Sequence, residues 1–261
     1  MIDFDDKYTI RAADIEDAAE LLGIYSYYVL NSAASFEYEP PSLEEFTARI
    51  AAATEKYPYL VVESENGLAG FAFAHPFRER RAYDYSAEVT IYIHPDDRHK
   101  GLGRELYAAL EHGLGEMGVR GVYACIAVPD GEDERLRPDS PLFHEAMGYK
   151  LCGTFKNCGY KFGKWYTMVW MEKLIGEFTE NPEPIIPYRE TLKAAPTERK
   201  PLASYDNKQI RLTDRFGNVF YGEGCSFNEE WGMHVLNCEE PGIEVGLYSI
   251  FESDIVSIIE M

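Results

Sequence analysis

The chain has 261 residues, 46% hydrophobic and 27% charged, which excludes collagen-like and largely disordered classes, and no apolar run or basic leader points to a membrane span or secretory signal, so a cytoplasmic protein is expected. Its 45 acidic against 25 basic residues give a net charge of −20, which opposes non-specific binding to nucleic acid or an anionic membrane, and neither is an expected partner. The five cysteines (Cys125, Cys152, Cys158, Cys225, Cys238) are odd in number without C-x-x-C spacing, which argues against a disulfide framework or a zinc ribbon, and no metal is expected.

In chain order, residues 8–12 read as a short strand, and Asp14 and Asp17 open a helix carrying Ile15, Ala18, Leu21, Leu22 and Tyr25 to Tyr28. Pro40-Pro41-Ser42 is a stop followed by a cap, and the next helix carries Leu43, Phe46, Ile50 and Ala53. Tyr59 to Glu63 and Leu68 to His75 form a predicted hairpin around Glu65-Asn66-Gly67, and Ala87 to Ile93 is a further strand. A glycine-rich loop leads into the strongest helix, Arg104 to Met117. Gly121 to Val128 is a strand, Pro141 to Met147 a short helix ended by Gly148, and Tyr149 to Phe155 and Trp165 to Lys173 are two more strands.

Composition then shifts. Residues 176–201 contain five of the 14 prolines and read as a linker. Five short strand-like runs follow, at Gln209–Thr213, Val219–Gly224, Gly232–Leu236, Gly242–Tyr248 and Ile255–Met261, which suggest a small closed barrel or sandwich over 202–261.

The loop Arg98-His99-Lys100-Gly101-Leu102-Gly103-Arg104 lies between a predicted strand and a predicted helix. Glycine lets backbone approach a ligand closely, and the first N–H groups of a helix lack internal partners. With the helix dipole they can hold a phosphate or pyrophosphate, helped by Arg98, Lys100 and Arg104; a plain strand-to-helix turn would read the same way. The loop is neither a dinucleotide fingerprint, since position 106 is Leu, nor a P-loop, since G-K-[ST] is lacking.

R-x-x-G-x-G in this setting resembles the acetyl-CoA pyrophosphate loop of the GNAT acetyltransferase superfamily. The likeness extends over residues 8–175. It includes Ile10-Arg11, Ala34-Ser35-Phe36 with Glu39-Pro40, Arg80-Arg81-Ala82-Tyr83, and Glu88-Val89-Thr90-Ile91-Tyr92-Ile93. Leu142-Phe143-His144-Glu145-Ala146-Met147-Gly148-Tyr149 and Gly159-Tyr160-Lys161-Phe162-Gly163-Lys164-Trp165 complete it. In this order the motifs are similar to the phosphinothricin acetyltransferase group. The resemblance implies an α+β fold, a mixed and mostly antiparallel sheet flanked by helices, over residues 1–175. It also implies acetyl-CoA as co-substrate and a small-molecule amine as acceptor, an amino acid or a toxic analogue of one.

Acyl transfer to an amine needs a base, a stabilised oxyanion, a managed thiolate and reacting geometry. Glu88 is a carboxylate in an otherwise apolar strand, where burial would raise its pKa, and the resemblance gives it the role of base, directly or through water. It likewise implies that His144 handles the thiolate proton, that backbone groups of Ile91, Tyr92 and Ile93 meet the pantetheine arm and the thioester oxygen, and that Arg98 to Arg104 hold the pyrophosphate. Phe36, Arg80 and Tyr83 match positions near the acceptor; Arg80 is the first choice to grip a carboxylate, and Arg78 and Arg81 are its neighbours.

One departure from the group's pattern stands out. Where the group carries an Asn that contacts the cofactor, this chain has Asp130, followed by a longer acidic segment, residues 131–139, that either covers the acceptor site or is a solvated insertion. Residues 202–261 resemble small Sm-like or SH3-like barrels. With 11 acidic residues against three basic ones, they are expected to serve packing, partner binding or dimerisation, so a homodimer is among the expectations, and RNA binding is not. Two rival readings stay open: an acetyltransferase for a peptide or protein amine, and a non-catalytic acyl-CoA sensor.

Overall fold

The computed structural model describes residues 8–192, 201–214, 219–227, 241–246, 248–251 and 255–261. The catalytic-domain resemblance is met by seven strands and four helices in the expected order. They are β1 (Tyr8–Ala12), α1 (Ala18–Asn31), α2 (Leu43–Thr54), β2 (Tyr59–Ser64), β3 (Gly67–Pro76) and β4 (Ser86–Ile93), then α3 (Leu102–Met117), β5 (Gly121–Val128), α4 (Asp139–Ala146), β6 (Lys150–Lys161) and β7 (Lys164–Leu174). Local chemistry explains several boundaries. The Ser42 hydroxyl accepts the Glu45 N–H at the start of α2, and Gly118, at φ 97°, ends α3 in a conformation that favours glycine. The Lys161–Lys164 hairpin turns through Phe162 and Gly163, both at positive φ, which gives the tight two-residue geometry.

The sheet runs β1-β2-β3-β4-β5-β7-β6, antiparallel except where β4 meets β5. Helices cover both faces. On one face α1 and α2 bury Leu21, Ile24, Phe46 and Ile50 against Tyr59, Val61 and Phe71. On the other, α3 presses Leu106, Leu110 and Leu114 onto Ala72, Ala74, Val89 and Val122. Three-layer burial of this kind is the main stabilising term of the domain.

Beyond β7 the proline-bearing segment lies along α3. Ile186 N–H bonds to the Met117 carbonyl, Tyr188 N–H bonds to the Lys56 carbonyl, and α5 (Tyr188–Thr191) buries Tyr188 against Gly113. The remaining strands are β8 (Gln209–Asp214), β9 (Val219–Phe227), β10 (Gly242–Val245), β11 (Tyr248–Phe251) and β12 (Ile255–Glu260). Their order is β12-β8-β9-β10-β11, and among the described residues no pairing of β11 with β12 closes the set. Instead β9 pairs with β1, at Ile10↔Tyr221 and Arg11↔Phe220, and so extends the main sheet. The single run read over Gly242–Tyr248 is two strands, because the chain turns at Gly246, at φ 59°. The run at Gly232–Leu236 lies outside the described residues, as do Cys238 and Pro196. No helix among the described residues is long and apolar enough to cross a membrane.

Candidate active site

The sheet forks at Glu88. β4 and β5 pair only at Ser86↔Gly121, Ala87↔Val122 and Glu88↔Tyr123, after which β5 continues along β7 as far as Val128↔Thr167 while β4 continues along β3 to Ile93↔Gly70. The rest of the β4 edge therefore faces a cleft with no strand in it. His94 N–H bonds to the Ala69 carbonyl, which sets the alternation along β4: Tyr92, Thr90 and Glu88 bond to β3, and the peptide groups of Val89, Ile91 and Ile93 turn to the fork. Those of Ile93 are already engaged, since the Tyr28 hydroxyl donates to its carbonyl at 2.6 Å and accepts its N–H at 3.3 Å. Tyr92 offers nothing to the fork, and its ring sits among Tyr25, Tyr28 and Phe71. Of the three backbone sites expected from the sequence, Ile91 is the one left facing the cleft. Val89, not singled out in the sequence, joins it through its carbonyl alone, since the Glu88↔Tyr123 register of the parallel pair commits its N–H to β5.

The glycine loop stands at the open end of this fork. His99 and Gly101 have positive φ, and Gly101 precedes Leu102 and Gly103 in the first turn of α3. A methyl group on Gly103 would meet the Phe143 ring at 3.3 Å and Ile91 at 3.5 Å, so glycine is what lets α3, α4 and β4 converge. Arg104 is exposed, Lys100 pairs with Asp97 at 2.7 Å, and Arg98 lies over the rings of Tyr27 and Tyr28. Asp130 is exposed just past the end of β5. Open backbone edge, first helical turn and nearby cations fit a ligand with a long arm ending in phosphates. A hollow of about 580 Å³ lies on the other flank of the loop, lined by Glu20, Gly67, His94 and Asp96 among others, and does not reach Glu88.

Glu88 is largely buried, and burial pushes its carboxyl above the usual carboxylate range, against the opposing pull of His75 and Arg78. His75 stands directly across on β3, with its ring nitrogen 3.9 Å from the carboxylate. On the same face lies Cys125, a free thiol pushed up to about 12 by burial and by Glu88. Its pKa excludes a ready thiolate nucleophile. Beside it Phe77 stacks on Tyr123 at 4.4 Å and meets Trp170 edge-on, and the Arg78 guanidinium covers both Phe77 and Trp170. Arg78 is thus the cation that leans over the site. Arg80 and Tyr83 are exposed beside it, Tyr83 meeting Phe77 edge-on at 5.9 Å. Phe36 lies farther along the face, against Gly159 and Tyr166.

His144 is 2% exposed. Its Nδ1–H donates to the Ser140 carbonyl at 2.7 Å, so Nε2 accepts from the Tyr107 hydroxyl at 3.0 Å. Burial holds it neutral, pushed down to about 4, inside a cage of Tyr107, Phe143 and Tyr149. With both nitrogens engaged, it is placed to fix the Tyr107 hydroxyl rather than to reach the fork itself. Among the described residues no three His, Cys, Asp or Glu side chains are grouped to hold a metal ion.

Comparison with known proteins agrees with this architecture. Residues 10–170 match the acetyltransferase (GNAT) domain family. The chain is 33% identical over 178 residues to a phosphinothricin N-acetyltransferase of Streptomyces viridochromogenes, which spans 68% of this chain and 93% of that protein. It is 29% identical to an L-methionine sulfoximine/L-methionine sulfone acetyltransferase of Salmonella typhimurium, over 65% of this chain and 95% of that one. A crystal structure of a Sinorhizobium meliloti phosphinothricin acetyltransferase in complex with AcCoA superposes with TM-score 0.62 and 33% identity, covering 70% of this chain and 98% of that chain. With a forked sheet, a glycine loop at the head of α3 and a family match over most of its catalytic part, the chain belongs to the GNAT acetyltransferase family.

Proposed function

We propose that this protein is an acetyl-CoA-dependent N-acetyltransferase that acts on the amine of a small amino acid or a toxic analogue of one, as its relatives named for phosphinothricin and methionine sulfone do. The observation that carries this reading is the fork at Glu88, where a shielded carboxylate of raised pKa meets the unpaired edge of β4.

Acetyl-CoA would be held along Val89 and Ile91, with its phosphates at residues 98–104, and supplies an activated acetyl group. Glu88 takes the ammonium proton, directly or through water, and its raised pKa keeps it basic enough near neutrality. The N–H group of Ile91 is a fixed dipole facing the reacting carbonyl. Arg78 and Arg80 offer guanidinium forks for an acceptor carboxylate, and Phe77, Tyr123 and Trp170 shield the site from water. Attack is direct, with no enzyme-bound acyl group, which agrees with the high pKa of Cys125. His144, with both nitrogens engaged, joins α4 to α3 through Tyr107, and the CoA sulfur departs as a thiolate that takes up the proton the attacking nitrogen sheds as the tetrahedral adduct collapses. The C-terminal strands, expected as an Sm-like or SH3-like barrel, are assigned a packing role, because β9 pairs with β1 and Arg211 of β8 pairs with Glu116 of α3.

Thiol release from acetyl-CoA should accompany addition of methionine sulfone, phosphinothricin or a common amino acid. Tight acetyl-CoA binding with no release across that panel would replace this reading with a protein acceptor or a sensor.

A further inference from the structure

The acidic insertion after β5 is built into the wall of the acceptor face. Leu136 is 7% exposed and packs in one cluster with Ala33, Ala127 and Tyr166, against which Phe36 and Met168 lean. Ala127 lies two residues beyond Cys125 on β5, and Cys125 two beyond Tyr123, the partner of Glu88; side chains two apart on a strand share a face. The cluster therefore closes the far end of the face on which Glu88 stands.

Polar contacts hold the insertion there. The Asp133 carboxylate accepts from Lys164 Nζ at 2.9 Å and from the Tyr166 hydroxyl at 3.4 Å. Burial works against its charge, but these donors, with the Arg135 N–H at 2.7 Å, keep its pKa below the ordinary carboxylate value. The Arg135 carbonyl accepts the Ala33 N–H at 3.1 Å, and its guanidinium lies 5.0 Å over the Phe162 ring. One short segment thereby joins the α1–α2 loop that carries Phe36 to the tip of the β6–β7 hairpin.

We infer that residues 131–139 set acceptor specificity, with Leu136 as the end wall that limits side-chain length and Asp133 as the latch that holds it. The inference rests on the proposed function, since it concerns the acceptor of that reaction. Leu136 lies away from Glu88 and from the glycine loop, so its truncation should lengthen the cleft while leaving acetyl-CoA binding alone. Leu136→Ala takes three carbons from that wall, enough to change selectivity by roughly tenfold or more.

The test is a series of α-amino acids of increasing side-chain length, run with wild type, Leu136→Ala and Asp133→Asn, alongside trypsin digestion at Arg135–Leu136. In Leu136→Ala, kcat/KM for the longest acceptors should rise about tenfold relative to alanine, with the acetyl-CoA KM unmoved. In Asp133→Asn, trypsin should cut the loop several-fold faster, and a saturating acceptor should slow that cut. An acceptor ranking identical to wild type in Leu136→Ala overturns the inference, even if Asp133→Asn is cut faster. Turnover by wild type on no member of the series removes the proposed function, and this inference falls with it.

Discussion

The ammonium nitrogen of Lys161 lies 2.6 Å from the carbonyl oxygen of Ser35, and its other two protons go to the carbonyls of Ser32 and Val29 at 2.9 and 2.8 Å. Three donors meet three acceptors at the C-terminal end of α1, where carbonyls lack helical partners and positive charge is favoured. The side chain is 1% exposed, and burial lowers its pKa. Lys161 thus clamps the loop of Phe36 to the β6–β7 hairpin. Replacing it by Met leaves three carbonyls without this donor and should cost about 2–4 kcal/mol in urea unfolding. The acceptor KM should rise more than the acetyl-CoA KM, a split that steady-state kinetics with each substrate varied will read.

His144 predicts acid lability. Its folded pKa, about 4, lies below the ordinary value of 6.5, so between these pH values the unfolded chain binds a proton that the folded chain refuses. Stability from this group is full above pH 6.5 and is lost as pH falls toward 4, by up to about 3 kcal/mol. Urea midpoints across that window should fall, and the slope should flatten in His144→Gln.

Gly103→Ala tests the convergence of α3, α4 and β4. The added methyl group presses on Phe143 and Ile91 at the mouth of the fork. Overpacking at such a contact costs about 1–3 kcal/mol. The expected outcome is an acetyl-CoA KM raised about tenfold with the acceptor KM unchanged, while Gly131→Ala, where nothing lies within 4 Å but φ is positive, should lower stability and leave the acetyl-CoA KM unmoved.

Much of this architecture was legible in the chain because its signals are local. The unbroken apolar run Tyr59–Val62, the alternation in Ala87–Ile93, the caps Asp14 and Ser42, and the glycines at 101 and 103 act within a few residues. Pairing across long separations was not legible. Nothing local in Val219–Gly224 says that Tyr221 will lie beside Ile10, and a run such as Gly242–Tyr248 reads as one strand until Gly246 turns it. At the site, sequence singled out Glu88 and the glycine loop, but the choice between Arg78 and Arg80 depends on which aromatic rings stand nearby. For His144 the family resemblance implies the thiolate proton, while the residue alone reads equally well as a packed histidine. Its burial comes from Tyr107 and Tyr149, which flank it only in three dimensions.

The central claim, that the carboxylate at the fork is the base, is tested most directly by the pH dependence of kcat/KM for a turned-over acceptor in wild type and in Glu88→Gln. Burial raises the Glu88 pKa, so wild-type activity should climb with pH along a limb whose midpoint lies above the ordinary carboxylate value. Glu88→Gln should lose that limb together with about 100-fold or more of the rate. The same limb, surviving at an unchanged midpoint in Glu88→Gln, would contradict the account.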